Sequence, residues 1–112
     1  MREYRLYLND IKEALEKIDM FIANASFDEF IQDVKTVDAV LRNLEIIGEA
    51  SKHIPKAVRE KYSDIDWRAI IGMRNIIAHE YFGVRLQIIW KTLKERLPEL
   101  KEAIEKIISD NF

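Results

Sequence analysis

The sequence predicts an all-α protein, an antiparallel bundle of four to five helices forming one domain over residues 1–112. Three observations carry this. Apolar residues recur at steps of three and four over most of the chain rather than alternating. Three glycines and two prolines in 112 residues are too few turn formers for the many reversals of an all-β architecture. The hydrophobic fraction of 48% and charged fraction of 34% are those of a globular chain, long enough for one core and not two.

The first element follows from Tyr4, Leu8, Ile11, Leu15, Ile18 and Ile22, with Tyr7, Ala14 and Phe21 widening the stripe, and predicts a helix over about residues 4–23. Asn24 and Ser26 interrupt it. Ser26 and Glu29 have capping-box spacing, which starts a short helix through Phe27, Phe30 and Ile31 whose aromatics read as packing residues. A long helix then spans about Val34 to Ile54, with Val37, Val40, Leu41, Leu44, Ile47 and Ala50 inward. Asp38, Arg42, Glu45 and Glu49 share another face, where a ladder of opposite charges accounts for them. Pro55 suits the first turn of a short helix running from Lys56 to Tyr62. His53 reads as a helix-terminal residue near exposed carbonyls, with nothing in the sequence to partner it in catalysis.

Ser63-Asp64-Ile65-Asp66-Trp67 reads as a turn, with Asp66 capping the next helix. Trp67, Ile70, Ile71 and Met73 anchor that helix, and for Trp67 packing is a stronger reading than base stacking. Gly72 is expected to permit close approach of another backbone, within the bundle or across an interface, and Gly83 to end the helix. A final helical region from Val84 carries Leu86, Ile89, Trp90, Leu93 and Leu97. Pro98 either kinks it or begins a last helix, Glu99 to Ile108, with Leu100, Ala103, Ile104 and Ile107 inward. The alternating Lys, Arg and Glu residues between 91 and 106 read as a solvated face.

Composition narrows the function classes. Eighteen basic against 20 acidic side chains give a formal charge of -2, which argues against a general nucleic-acid coating protein but leaves room for one local RNA-binding patch. The absence of cysteine removes disulfides, thiol chemistry and thiolate-held zinc. The charged start Met1-Arg2-Glu3-Tyr4-Arg5 is unlike a signal peptide, and no apolar run approaches the roughly 18 residues of a membrane span. The cytoplasm is the expected compartment, with no membrane partner. The carboxylates lack a histidine at ligand spacing, so no metal site is expected.

The segment from Ile70 to Gly83 carries the chemistry. Arg74, Asn75 and His79 are set among Ile70, Ile71, Met73, Ile76, Ile77 and Ala78. A lone buried charge is expensive, so Arg74 must reach water, a partner or an anion. On a regular helix Asn75 shares a face with His79, and Arg74 with Tyr81, whereas Arg74 and His79 stand roughly 140° apart. Either the last turn loosens near Glu80 to Gly83, or the arginine reaches around, or a second copy of the chain completes the site. The third route is favoured because one histidine cannot serve at once as base and acid. The alternative to the charge ladder is that Asp38 or Glu45 orients Arg74 from a neighbouring helix.

The segment Arg74-Asn75-Ile76-Ile77-Ala78-His79-Glu80-Tyr81 resembles the arginine, four residues, histidine, any residue, tyrosine signature of the HepT-like ribonuclease toxins of the HEPN superfamily. The resemblance extends to Lys35 through Val40, Arg42 through Ala50, Trp67-Arg68, Ile71 through Asn75 and Tyr81 through Val84, and so covers nearly the whole chain. It implies an HEPN-like bundle and a toxin found beside a minimal nucleotidyltransferase antitoxin. His79 is then the acid/base and Arg74 the phosphate clamp of an endoribonuclease that makes the RNA 2′-hydroxyl attack its own phosphodiester, with no metal or other cofactor. Asn75 supports them. The resemblance also implies that the antitoxin uses ATP as AMP donor and that Tyr81 is the regulatory AMPylation acceptor. A homodimer, an RNA substrate and the cognate nucleotidyltransferase are the expected partners. The alternative is a catalytically silent helical adaptor that binds a protein or nucleotide through the Arg74/Tyr81 patch.

Overall fold

The apolar stripe of the first helix is buried: Leu8, Ile11, Ala14, Leu15, Ile18 and Ile22 line one side of α1 (Tyr4–Ile22). The computed structural model describes residues 3–79 and 85–112, and for residues 78 and 79 the helical backbone alone. The Ser26 hydroxyl accepts from the Glu29 amide at 3.1 Å while Glu29 Oε1 accepts from the Ser26 amide at 2.9 Å. This reciprocal cap starts α2 (Phe27–Gln32). Asp33 caps α3 (Val34–Lys52), taking the Thr36 amide at 3.2 Å and the Thr36 hydroxyl at 2.7 Å.

Pro55 precedes α4 (Lys56–Lys61), and Asp66 accepts from the Ala69 amide at 3.1 Å to open α5 (Trp67–His79). The last helical stretch starts as α6 (Leu86–Lys91), continues without interruption through a π-helical turn (Thr92–Arg96), and ends as α7 (Leu97–Asn111). In that wider turn the Leu97 amide bonds the Thr92 carbonyl. Pro98, which has no amide hydrogen, falls in the first turn of α7. The expected kink or restart at Pro98 is thus a π-turn just before it. The described residues form helices and contain no strand.

α3 is the central element, packed between α1 and α5, with α7 on the other side of α1. Tyr4 at the start of α1 meets Phe112 at the end of the chain, ring centroids 5.2 Å apart, and Asp19 near the end of α1 meets Lys101 in α7 at 3.7 Å. α1 and α7 therefore run antiparallel. Tyr7 meets His53, just past the end of α3, so α1 and α3 do too. Leu8, Ile11, Ile18, Val40, Leu44, Ile47, Leu100, Ile104 and Ile107 are fully enclosed, each stabilising the bundle by about 1.5–3 kcal/mol relative to exposure. Phe30, also fully buried, packs against Trp90 across α2 and α6 at 5.1 Å. Trp67 is buried and donates its indole N–H to the Tyr62 carbonyl at 3.0 Å, so it is a packing residue as read from the sequence. No helix among the described residues is long and apolar enough to cross a membrane.

Within the bundle, the close approach expected of Gly72 belongs to another glycine. A Cβ on Gly72 would meet nothing within 4 Å, whereas one on Gly48 would lie 3.0 Å from the Ile70 carbonyl oxygen and 3.0 Å from the Arg74 Cβ. The helix crossing is built on α3's glycine because its side faces α5. The loosening expected at residues 80–83, the stop at Gly83 and the start at Val84 lie outside the described residues.

Candidate active site

Arg74 leaves α5 directly over Gly48 of α3, where the missing side chain lets the two helices close. From there its guanidinium reaches along α3. Its Nε meets Glu49 Oε2 at 3.3 Å, and its Nη1 donates to Asn75 Oδ1 at 3.2 Å. Both side chains of the ion pair are 46% exposed, so the guanidinium is held at two of its nitrogens while standing at the surface. Arginine presents its five donors as a rigid planar fork. With Nε and one Nη1 hydrogen engaged, Nη2 and the second Nη1 hydrogen are left among the described residues as donors of the kind that bind phosphate oxygens.

Glu49 also faces His53. Its Oε1 lies 3.4 Å from His53 Nε2, one helical turn on. The imidazole is stacked on Tyr7 of α1, with centroids 4.7 Å apart and planes inclined by 16°. One carboxylate thus links an arginine on α5 to a histidine at the end of α3, and an aromatic ring of α1 holds the histidine. Sequence reasoning missed this assembly. The i,i+4 spacing of Glu49 and His53 was available, but Tyr7 was absorbed into the apolar stripe and the Glu49 to Arg74 contact is tertiary.

Two hollows meet at the Glu49/Arg74 pair. The larger, of about 460 Å³, is lined by Tyr7, Asp10, Arg42, Glu45, Glu49 and His53 with Arg74. The smaller, of about 210 Å³, is lined by Gly48, Glu49, Lys52, Arg59, Arg74 and Asn75, with Ile71. Arg59 is fixed there by its Nε, which donates to the Ile54 carbonyl at 3.1 Å.

Of the residues singled out from the sequence, Arg74 and Asn75 are joined directly. The carboxylate at Arg74 is Glu49, not the alternative Asp38 or Glu45. Glu45 lines the larger hollow. Asp38 is exposed and eleven residues before Glu49 on α3, a rise of about 16 Å. The His79 side chain, and Tyr81 altogether, lie outside the described residues; the His79 backbone closes α5. Among the described residues no group of three or more His, Cys, Asp or Glu side chains is placed to hold a metal ion.

Residues 11–107 match a family model described as ribonuclease HepT-like. The chain is 46% identical over 106 residues to "Probable ribonuclease HepT" of Thermococcus cleftensis, covering 95% of this chain and 96% of that protein. It is 44% identical over 109 residues to a provisionally named RNase of Methanocaldococcus jannaschii, covering 97% and 90% of the two chains. A provisionally named RNase of Caldanaerobacter subterraneus is 42% identical over 108 residues, covering 96% of each chain. No solved structure matches the chain.

Proposed function

The chain belongs to the ribonuclease HepT-like family, and on that premise we propose that it is an endoribonuclease cleaving single-stranded RNA by attack of the 2′-hydroxyl on the adjacent phosphorus. The observation that carries this is the surface guanidinium of Arg74, held at Nε by Glu49 and at Nη1 by Asn75, with its remaining donors unengaged among the described residues. Those donors bind two oxygens of the scissile phosphate and stabilise the charge that builds in the transition state. His79, five residues on, transfers the proton. The products are a 2′,3′-cyclic phosphate and a 5′-hydroxyl, formed without a metal ion.

His79 supplies one proton-transfer group per chain, and a C2 homodimer supplies two. Ile76 on α5, one turn on from Met73, and Ile88 on α6 are each more than half exposed and offer apolar surface for such a contact. Control is by a minimal nucleotidyltransferase antitoxin that transfers AMP from ATP to Tyr81. Negative charge and bulk added there compete with substrate phosphate for Arg74.

The test is cleavage of a defined RNA oligonucleotide in excess chelator, with analysis of the product ends. Wild type should give cyclic phosphate ends, and folded Arg74→Ala and His79→Ala should each lose activity. Turnover that survives the double substitution assigns the cleavage to a contaminant and the fold to an adaptor. Light scattering that finds only monomer across micromolar concentrations removes the dimer.

A further inference from the structure

The two hollows that meet at Arg74 differ in chemistry. In the smaller, the described residues place Lys52, Arg59 and Arg74 with one carboxylate, Glu49, beside the Asn75 amide. That wall attracts phosphate. In the larger, the described residues set the carboxylates of Glu45 and Glu49 beside Arg42 and Arg74, so a phosphodiester entering it meets repulsion as well as attraction. Carboxylate oxygens, however, accept hydrogen bonds from the N–H edges of nucleobases.

The larger hollow also holds the stacked pair Tyr7 and His53. Tyr7 covers one face of the imidazole. The His53 side chain is 44% exposed and lines this hollow, so a planar ring entering the hollow meets the imidazole. A nucleobase set there extends a stack that already exists in the free protein, so its binding needs no reorganisation of the shelf. The volume of about 460 Å³ is that of a small-molecule site.

Building on the reading of this chain as a ribonuclease, we propose that the Tyr7/His53 cleft is a nucleobase subsite, which stacks the base next to the phosphate clamped by Arg74. The strand then crosses the Glu49/Arg74 pair, with one base on the imidazole and the continuing backbone along Lys52 and Arg59. His53 acts in this subsite as a stacking surface, and Tyr7 as the shelf that fixes its plane.

The experiment measures binding by fluorescence anisotropy with a labelled 2′-O-methyl oligoadenylate, which lacks the attacking hydroxyl, and with an abasic sugar-phosphate chain of the same length. His53→Ala should weaken binding of the base-bearing strand about tenfold. His53→Phe, which keeps a ring but cannot transfer a proton, should stay within about twofold of wild type. Tyr7→Ala should weaken binding in the same direction as His53→Ala. On the abasic chain wild type and His53→Ala should bind alike, because no base is there to stack.

Three outcomes overturn the subsite: unchanged binding by folded His53→Ala, equal losses in His53→Phe and His53→Ala, or a loss that persists on the abasic chain. The last would mean that His53 acts through Glu49 on Arg74. The anisotropy does not depend on turnover. If wild type fails to cleave the matching 2′-hydroxyl strand while the binding pattern holds, the ribonuclease reading falls and the base subsite stands.

Discussion

Gly48 and Arg74 touch across the α3/α5 crossing: a Cβ at position 48 would stand 3.0 Å from the Arg74 Cβ and 3.2 Å from its amide nitrogen. Neither atom can rotate away, since both are fixed to the α5 backbone. Gly48→Ala should therefore push α5 outward and lower stability by about 1–2 kcal/mol, because overpacking exceeds the helix-propensity gain of alanine. Gly72→Ala meets open space within the chain and should raise stability by about 0.5–1 kcal/mol. Urea unfolding of the two variants side by side checks both signs. A shift from dimer to monomer in Gly72→Ala would place that glycine at the interface between copies.

Glu49→Gln separates folding from function. The Glu49 to Arg74 pair is 46% exposed on each side, where such pairs are worth about 0–1 kcal/mol. Thermal stability should hardly move. Because the pair aims the guanidinium, kcat for RNA cleavage should fall about tenfold. An unchanged kcat would show that Arg74 finds its phosphate without Glu49.

Tyr81→Phe should keep most of the cleavage activity and lose both modification and the protection that follows from it. Intact-mass measurement after incubation with the cognate transferase and ATP reads the result directly. Equal addition to wild type and folded Tyr81→Phe removes Tyr81 as the required acceptor.

Stability should depend on pH at two structural hydrogen bonds outside the candidate site. The Tyr62 hydroxyl donates to Asp110 Oδ2 at 2.8 Å, and this bond, with some desolvation, holds its pKa above the usual tyrosine value. A raised pKa favours the protonated phenol in the folded state. Its contribution is present below the unfolded pKa of about 10 and is lost as pH rises through the folded value. Asp33 is held below the usual carboxylate range by its side-chain and backbone hydrogen bonds from Thr36. That contribution is present above an unfolded pKa of about 3.9 and is lost as pH falls through the lowered value. Denaturation profiles should accordingly flatten on the alkaline side in Tyr62→Phe and on the acid side in Asp33→Asn.

The helices themselves were legible because each signal is local. Ser26 with Glu29, and Asp66 before Trp67, are caps whose partners lie within one turn, and the stripe from Leu8 to Ile22 needs only the helical period. Arg74 stands out in the sequence as a candidate because a cation among isoleucines is an anomaly wherever it falls. Its partner was not. Asp38, Glu45 and Glu49 lie along one helix, and which of them meets Arg74 depends on where α5 crosses α3. The crossing point is set by Gly48, and nothing within one turn of Gly48 distinguishes it from Gly72. Tyr7 and His53 are 46 positions apart in sequence, and only the antiparallel packing of α1 on α3 brings them together.

The π-turn carries one further consequence. Ile89, Leu93 and Leu97 are buried at successive steps of four, whereas Leu97, Leu100, Ile104 and Ile107 return to steps of three and four. On an ordinary helix each step of four rotates the side chain about 40° past a full turn, so the wider turn takes up that slack. In effect the helix holds one residue more than its buried stripe requires. Removing Glu95, which is exposed, should let the segment rewind as α-helix with the inward positions still in phase. The rewound helix would then press the Pro98 ring against the carbonyl one turn earlier, so the shortening should be tolerated when combined with Pro98→Ala and be costly without it. Removing exposed Glu102 from the regular part of α7 should instead swing Ile104 and Ile107 about 100° out of the core. Circular dichroism melts of the three variants would rank them in that order, and would make this a place where the chain can lose a residue inside a helix.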